Sequence, residues 1–333
     1  MKIGIIGTGT WGTALGRMLS VNNHDVMMFS VFDEHIKQLD KNRVHENLKG
    51  MIIPNEIKFT SNMKEVVEDK DIIVFALPSI YLRENVRKAK QYIKDNQIIV
   101  DVAKGIETDT LYTMSQLIED ELNNPNMKVV ALSGPTHAEE VALDMPSTIV
   151  SACKDLDAAK VVQDVFMNNN MRVYTNDDVL GVELCGALKN IIALATGIST
   201  GLGFGDNAKA AIITRGMLEM SRLGLAMNAK KETFSGLAGI GDLIVTCTSM
   251  HSRNNRCGML IGKGYKVEDA VKEVGMVVEG LNALPAAIKL IEKYNVEMPI
   301  ISMVYEIVNN NVDPKQAVIA LMNRDKKEEF TYL

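Results

Sequence analysis

The chain has 333 residues, of which 47% are hydrophobic, and a formal net charge of −6 at pH 7. This length and apolar content suit a soluble protein with more than one hydrophobic core, so we expect two domains. The negative charge argues against a general nucleic-acid-binding surface, which usually needs a basic field, and an anionic ligand would need a local basic cluster.

The spacing of the cysteines and the length of the apolar runs indicate the cellular compartment of the protein. The four cysteines, Cys153, Cys185, Cys247 and Cys257, show no C-x-x-C spacing, and several lie in apolar runs where buried thiols are common. Neither a metal site nor a disulfide framework is therefore predicted. No apolar run reaches the length we expect of a membrane span, and the N-terminus leads into a strand rather than a cleavable signal. We predict a cytoplasmic protein that is not inserted into a membrane.

The N-terminal segment reads as a strand, a glycine turn and a helix. The apolar residues 2–6 are followed by Gly7, Gly9 and Gly12 in G-x-G-x-x-G spacing, and a helical pattern begins within this turn. In such a turn the first glycine permits the tight bend, the second lets the backbone approach a pyrophosphate, and the third lets the helix pack on the strand. The helix N-terminus offers N–H groups to the phosphates. This combination favours dinucleotide binding over a glycine-rich loop without a ligand.

Up to about residue 175, short β-branched runs alternate with amphipathic segments. The predicted strands lie at residues 2–6, 25–29, 71–76, 97–100, 128–132, 147–151 and 171–174. The predicted helices lie at residues 10–20, 33–40, 63–68, 80–93, 108–122 and 155–168. Such alternation predicts an α/β fold with a doubly wound, Rossmann-like sheet that is largely parallel and covered by helices on both faces.

Beyond about residue 177 the strand signal ends and the pattern is helical. Helical spacing covers residues 179–198, 208–225, 266–273, 281–294, 300–308 and 314–321. The sequence Thr175–Asp178 resembles a helix N-cap and marks the boundary. We predict a dinucleotide-binding domain of residues 1–177 and an all-helical substrate-binding and catalytic domain of residues 178–333.

Ligands of open α/β sheets bind at the carboxyl ends of the strands, so we expect the reactive side chains of the first domain in the loops there. One loop places Lys104 beside a glycine, and another, residues 133–138, combines small hydroxyl residues with a helix start. After the second strand, Val31 and its neighbours offer neither the carboxylate typical of NAD-binding folds nor the arginine typical of NADP-binding folds. Asp33 could contact the ribose, but it is better placed as a helix N-cap. Cofactor preference is left open.

A lysine in the helical half stands in an unusually apolar segment. Lys189 lies in a helical segment with an apolar stripe, and small neighbours at Gly186 and Ala193 leave space above its amine. Burial and a second nearby lysine would lower the pKa of Lys189 towards the range of proton transfer, whereas a close carboxylate would oppose that shift. The alternative is a structural lysine that extends to solvent or pairs with Glu183. This segment by itself leaves both interpretations open.

A glycine-rich stretch around Asp242 is followed by Ser, Arg and Asn at residues 252–254. Arginine offers a planar fork for phosphate, and hydroxyl and amide groups complete the oxygen contacts, so we predict a loop that binds a compact anion. Alternatively, Gly239 and Gly241 only pack a helix, and the arginines at 253 and 256 form a solvated basic face. The lysines already noted favour the functional interpretation.

Seven ordered motifs resemble those of the bacterial-type NAD(P)-dependent glycerol-3-phosphate dehydrogenases, and they run nearly end to end. They are GTGTWGTAL at 7–15, AKGI at 103–106, SGPTHA at 133–138, GALKN at 186–190, GLAGIGDL at 236–243, SRN at 252–254 and VVEG at 277–280. The resemblance implies an oxidoreductase that interconverts sn-glycerol 3-phosphate and dihydroxyacetone phosphate with NAD or NADP, supplying glycerol 3-phosphate for glycerophospholipid synthesis. It also implies a homodimer.

The resemblance further assigns roles to individual residues. Lys189 would be the proton donor and acceptor. Residues around the substrate would be Lys104, Gly134, Thr136, Asp242, Ser252, Arg253 and Asn254. From the chemistry of the reaction we add Asn190, which together with Asp242 would orient the lysine and the hydroxyl groups of the substrate. Residues in contact with the cofactor would be Thr10, Trp11, Lys104, Ala138, Arg253, Val277 and Glu279, besides Gly7, Gly9 and Gly12. The family's cofactor-discriminating position after the second strand is matched by Val31, which argues against a strict NADP preference.

The chemistry needs a cation where charge develops on the substrate. Lys189, with Lys104 nearby, would stabilise and protonate the alkoxide, while Arg253 would hold the remote phosphate, and no metal is required. Two other classes of protein are considered. A dehydrogenase of the β-hydroxyacid or ketopantoate type should lack the motif at 252–254, and a non-catalytic nucleotide sensor would not need the lysine.

Overall fold

The computed structural model describes residues 1–329. The chain divides into two compact units: Met1–Glu107 with Tyr112–Glu183, and Thr108–Leu111 with the chain from Leu184 onwards. We refer to these as the first and second units. The domain boundary after residue 177 stays a prediction, and residues 330–333 of the predicted second domain lie outside the described residues.

The first unit is built on one sheet. Within residues 1–329 this sheet has eight strands in the order β3-β2-β1-β4-β5-β6-β7-β8. The strands are β1 (Lys2–Ile6), β2 (Asp25–Phe29), β3 (Lys58–Thr60), β4 (Ile72–Phe75), β5 (Ile98–Asp101), β6 (Lys128–Ser133), β7 (Ser147–Ala152) and β8 (Met171–Asn176). Neighbouring strands are parallel except β6 and β7, which are antiparallel. The predicted α/β fold with a largely parallel sheet is confirmed.

Helices cover both faces of the sheet. They are α1 (Thr10–Val21), α2 (Asp33–Asn42), α3 (Met63–Val67), α4 (Leu82–Ala89), α5 (Met114–Leu122), α6 (Ala138–Ala142) and α7 (Leu156–Phe166). In β1, the fully buried side chains of Ile5 and Ile6 belong to two different core clusters because successive residues of a strand point to opposite faces. Burial on both faces explains why the strands read as continuous apolar runs.

Local features of the first unit differ from the predictions, among them the following three. β3 was missed because three residues are too few to show a periodic pattern. The helix predicted from residue 108 begins at Met114, because Thr113 and Gln116 form a capping box there. Asp33 is the first residue of α2 rather than its N-cap, which is Phe32 without a side-chain capping bond.

Beyond β8 the described chain is helical, as predicted. The helices are α8 (Val179–Gly201), α9 (Asp206–Ala226), α10 (Lys231–Phe234), α11 (Asp242–Thr248), α12 (Arg253–Gly262), α13 (Val267–Val274), α14 (Glu279–Tyr294), α15 (Pro299–Asn309) and α16 (Pro314–Met322). The division between the units falls within α8, after Glu183. Asp178 acts as the predicted cap, since its Oδ1 accepts a hydrogen bond from the Gly181 N–H at 3.0 Å.

We expected that no apolar run would be long enough to span a bilayer, and this expectation was wrong. Among the described residues, α8 is long and apolar enough by composition to do so. However, 89% of its most apolar window is buried inside the protein. The helix is therefore a core helix, whose apolar character serves packing on all sides.

The backbones of the helices α12 and α8 lie in direct contact with each other. A Cβ added at Gly258 of α12 would lie 2.2 Å from the carbonyl oxygen of Leu194, and one added at Gly197 of α8 would lie 2.1 Å from the carbonyl oxygen of Asn255. Only glycine permits so close an approach. The contact sets the position of the first turn of α12, where three of the predicted site residues lie.

Candidate active site

The glycine turn after β1 has one glycine that the fold itself does not explain. Gly7 has a φ of +124°, and a Cβ there would lie 2.2 Å from the carbonyl oxygen of Ala76. A Cβ at Gly12 would lie 2.5 Å from the carbonyl oxygen of Gly7. Gly9 in contrast has an ordinary φ of −70°, and a Cβ there would meet no atom within 4 Å. Neither conformation nor packing requires glycine at position 9.

The open space above Gly9 fits the approach of a pyrophosphate. Gly9 is the N-cap of α1 and has no side chain to cap the helix, so the N–H groups of the first turn face that space. Thr10 and Trp11 are the first residues of this helix; Thr10 is buried, and Trp11 is partly buried against the core. The residues present therefore fit a dinucleotide held by its phosphates.

The segment after β2 carries no charged group at the position that usually discriminates the two cofactors. The side chains of Val31 and Phe32 are exposed, and the buried Ser30 accepts a hydrogen bond from the Phe32 N–H at 3.3 Å. His35 was not predicted from the sequence; its Nε2–H donates to the carbonyl oxygen of Thr8 at 3.3 Å. This bond ties α2 to the glycine turn, and no spacing rule would have indicated it.

Lys104, Gly134 and Thr136 come together at the carboxyl ends of β5 and β6. The Lys104 Nζ donates to the carbonyl oxygen of Gly134 at 3.0 Å, and the Thr136 hydroxyl donates to the same oxygen at 3.1 Å. Ala138 begins α6 directly afterwards and is buried. Lys104, Gly134 and Thr136, all predicted to bind the substrate, thus form one cluster on the first unit.

Lys189 is buried in the second unit and paired with a carboxylate. Its Nζ lies 2.7 Å from Oδ1 of Asp242 and 2.6 Å from the hydroxyl oxygen of Thr246. Only 7% of the lysine side chain and 2% of the aspartate side chain are exposed. Both structural alternatives are therefore wrong, since the lysine neither extends to solvent nor pairs with Glu183. The close carboxylate favours the ammonium form of the lysine.

Thr246 is a site residue that sequence analysis missed. Its hydroxyl donates to the carbonyl oxygen of Asp242 at 2.6 Å, so that its lone pairs face the lysine. Asp242 and Thr246 are four residues apart and lie on the same face of α11. The glycines before Asp242 indicate a loop rather than a helix, and a four-residue spacing places two side chains on one face only in a helix.

Residues 252–254 begin a helix, and the prediction of a loop was wrong. The Ser252 hydroxyl caps α12 by accepting a hydrogen bond from the Asn255 N–H at 3.2 Å. Asn254 is buried; its Nδ2 donates to Oδ1 of Asn190 at 2.9 Å, and its Oδ1 accepts from the Gly280 N–H at 2.8 Å. Ser252 and Asn254 hence hold the first turn of α12 in place.

Arg253 lies beside two residues that were predicted to contact the cofactor. Its guanidinium is 3.4 Å from the carbonyl oxygen of Val277, and Glu279 begins α14 two residues later. A planar guanidinium is the side chain with the geometry for bidentate contact with a phosphate. The structure brings Lys189, Asn190, Asp242 and this helix start together within the second unit.

Two carboxylates, those of Glu183 and Glu219, are buried and have shifted pKa values that the sequence did not predict. Burial raises the pKa of Glu183, whereas hydrogen bonds from Ser115 and Thr113 at 2.5 to 2.7 Å lower it. Burial raises the pKa of Glu219 to about 7, although the N–H groups of Ile300 and Ile301 donate to it. Both carboxylates accept hydrogen bonds from helix N-termini, so they have structural roles in the described chain. The four cysteines are buried free thiols.

Two family models match the two halves of the chain. The model of the NAD-dependent glycerol-3-phosphate dehydrogenase N-terminus matches residues 2–159, and that of the C-terminus matches residues 178–319. The chain belongs to this family. The resemblance inferred from the seven motifs is confirmed, and with it the class of NAD(P)-dependent oxidoreductases.

Individual members of the glycerol-3-phosphate dehydrogenase family match over the full length. The chain is 60% identical to glycerol-3-phosphate dehydrogenase [NAD(P)+] 2 of Lactobacillus delbrueckii subsp. bulgaricus, over 99% of both chains. It is 49% identical to the Fusobacterium nucleatum enzyme, again over 99% of both. The crystal structure of glycerol-3-phosphate dehydrogenase from Coxiella burnetii superimposes with a TM-score of 0.93 at 35% identity, covering 97% of this chain and 99% of that one.

Dehydrogenases of the ketopantoate type, the rival class, resemble this chain in fold only. A PanE/ApbA family ketopantoate reductase from Ralstonia eutropha has a TM-score of 0.65 at 14% identity, over 96% of this chain and 100% of that chain. At this identity the likeness shows a common fold and nothing more.

Proposed function

We propose that the protein interconverts sn-glycerol 3-phosphate and dihydroxyacetone phosphate with NAD or NADP, and that it does so as a cytoplasmic homodimer that supplies glycerol 3-phosphate for glycerophospholipid synthesis. The observation that carries the reaction is the match of both halves to one dehydrogenase family. The buried Lys189 with its carboxylate and hydroxyl partners supports it. Four buried free thiols support a reducing compartment.

Lys189 is assigned the proton transfer. When bound, the nicotinamide cofactor supplies or accepts the hydride at the carbon that bears the reacting oxygen. As negative charge develops on that oxygen, the Lys189 ammonium stabilises it and then donates a proton from Nζ. Asp242 and Thr246 fix Nζ in place, so little reorganisation is needed at the moment of reaction. In the reverse direction the neutral amine accepts the proton of the alcohol.

Arg253 and the first turn of α12 are assigned to the substrate phosphate. The guanidinium provides a two-pronged contact, and the N–H groups of residues 253 and 254 provide the helix N-terminus. Ser252 accepts a bond from the Asn255 N–H and can still donate its own hydrogen. Asn254 contributes through the backbone because its amide already bridges Asn190 and Gly280. Lys104, Gly134 and Thr136 are assigned to the substrate as well.

The cofactor is assigned to the glycine turn and its surroundings. Gly9 leaves space for the pyrophosphate, and Gly7 and Gly12 shape the turn. The remaining proposed contacts are Thr10, Trp11, Val31, Lys104, Ala138, Arg253, Val277 and Glu279. Since Val31 has no charge to attract or repel a 2′-phosphate, the proposal includes both NAD and NADP.

One assay tests the reaction. Protein, reduced cofactor and dihydroxyacetone phosphate are mixed, and the nicotinamide absorbance is followed with NADH and with NADPH. The controls are dihydroxyacetone without phosphate and a 2-oxo acid such as ketopantoate. Rapid oxidation that needs the phosphorylated ketone is expected. Oxidation with the 2-oxo acid alone would assign the protein to the rival class, and cofactor binding with no oxidation by any ketone would make it a nucleotide sensor.

A further inference from the structure

Two arginines share one face of α12 in the second unit. Arg253 is the first residue of this ten-residue helix, and Arg256 lies three positions later. That spacing places the two side chains next to each other on the helix surface. The family motif accounts for the first arginine only, and nothing so far explains the second.

The opposite face of α12 packs closely on α8. Asn255 and Gly258 lie on that face, at the backbone contacts with Gly197 and Leu194 described above. Backbones that lie too close to admit a Cβ leave no room for the helix to rotate. The face that carries the two arginines therefore has a fixed direction.

The first turn of α12 is also tied to the helical turn that carries Lys189. Asn254 bonds to the side chain of Asn190, the residue that follows the lysine, and to the Gly280 N–H. These contacts are buried. A phosphate held by the arginine face would thus be held at a set position with respect to the lysine, as phosphate-assisted alignment of the reacting carbon requires.

The buried Nε–H of Arg256 has no hydrogen-bond partner within residues 1–329. The other arginines of comparable burial differ; Arg83, for example, bonds to Glu107, Asp120 and Glu121. A buried N–H of a cation without an acceptor is costly, and an anionic ligand would remove this cost.

We propose that Arg256 is a second guanidinium for the substrate phosphate beside Arg253, and that it helps to select phosphorylated over unphosphorylated substrates. This inference rests on the proposed function. A phosphate monoester carries close to two negative charges near neutral pH and has three terminal oxygens, so two guanidinium groups can bind it together. For this contact the Arg256 side chain turns from its unliganded position, in which Nε is buried, so that Nε–H donates to one of those oxygens.

Two substitutions at Arg256 test the assignment. Arg256→Gln should raise both the KM for dihydroxyacetone phosphate and the inhibition constant of inorganic phosphate by about ten- to a hundredfold, which is the range for one hydrogen bond to a charged group. The rate with phosphate-free dihydroxyacetone at saturating cofactor should not change. Arg256→Lys keeps the charge and should recover part of the loss. Lys263→Gln, at the other end of α12, removes one positive charge and should have no effect.

A double-variant cycle separates a shared phosphate from two independent effects. If Arg253 and Arg256 bind one phosphate, the losses from Arg253→Gln and Arg256→Gln should not multiply in the double variant. An unchanged KM and unchanged phosphate inhibition in Arg256→Gln would overturn the inference, as would equal damage to the phosphate-free reaction in both Arg256 variants. If the wild type does not reduce dihydroxyacetone phosphate, the proposed function fails. Calorimetric binding of inorganic phosphate to wild type and Arg256→Gln still tests the arginine pair, and equal affinities would exclude it.

Discussion

The Nζ of Lys189 lies 2.7 Å from Oδ1 of Asp242, although the two residues are 53 positions apart in the sequence. Both are buried, so each charge depends on the other for its solvation. This pair provides the cation that the proposed reaction needs, and it fixes where that cation lies.

Removal of Lys189 should abolish the reaction but not cofactor binding. Lys189→Ala should lower kcat by about three to four powers of ten, since the proton donor is lost. It should also destabilise the protein by about 3–5 kcal/mol, because Asp242 becomes an unpaired buried charge. Cofactor affinity, measured by fluorescence titration, should stay within a factor of about two of wild type. The double variant Lys189→Met with Asp242→Leu should regain stability without activity, and a single variant with near wild-type kcat would refute the assignment.

Thr246 should be needed to hold the lysine. Thr246→Val keeps the shape of the side chain but leaves the Lys189 ammonium without one acceptor, which costs about 1–3 kcal/mol. We expect kcat to fall by about ten- to a hundredfold with little change in the KM for the cofactor. Thr246→Ser should retain most of the activity. Steady-state kinetics of both variants decide the point, and equal activity of the valine and serine variants would show that the hydroxyl has no role.

Both nicotinamide cofactors should be accepted. The ratio of kcat/KM for NADH and NADPH should stay below about a thousandfold, or about 4 kcal/mol, because Val31 carries no charge. Val31→Arg should favour NADPH by about tenfold, since a guanidinium can bind the 2′-phosphate. The matched control is Val44→Arg, which adds the same charge at another exposed valine of the first unit. A larger preference in the wild type would mean that another group discriminates between the cofactors.

Arg253 should contribute through the phosphate of the substrate. Arg253→Ala should lower kcat/KM for dihydroxyacetone phosphate by about two to four powers of ten, and Arg253→Lys should recover only part of this, because lysine lacks the bidentate fork. The slow reduction of phosphate-free dihydroxyacetone at saturating cofactor should be nearly equal in wild type and variant. Equal damage to both ketones would instead assign Arg253 to the cofactor or to the structure.

Glu219 should make stability depend on pH. Burial raises the pKa of Glu219 to about 7 in the folded protein, above the ordinary value of 4.5. The folded state therefore binds the proton more tightly than the unfolded state, and this contribution to stability is present in full below pH 4.5 and is lost as the pH rises through 7. Urea unfolding between pH 5 and 8 should show a smaller loss of stability in Glu219→Gln than in wild type. Glu292→Gln, at an exposed glutamate, should behave like wild type.

The features that could be predicted from the sequence are those that depend on local chain geometry. The glycine turn, seven of the strands and most of the helices could be predicted, because each depends on periodicity or on turn chemistry within a few residues. The resemblance in seven motifs likewise identified the family. β3, with three residues, and the short helices α10 and α11 gave no such local signal.

The tertiary structure decided which side chains meet. Lys189 could be recognised as unusual, but its two partners come from α11, and only the packed helices bring them to 2.7 and 2.6 Å. Similarly, residues 252–254 read as a loop because their polar side chains hide a helix start, whose cap and amide bridge reach Asn190 on α8. Hydrogen bonds between distant residues depend on how whole elements pack, and a single sequence carries no local pattern for that packing.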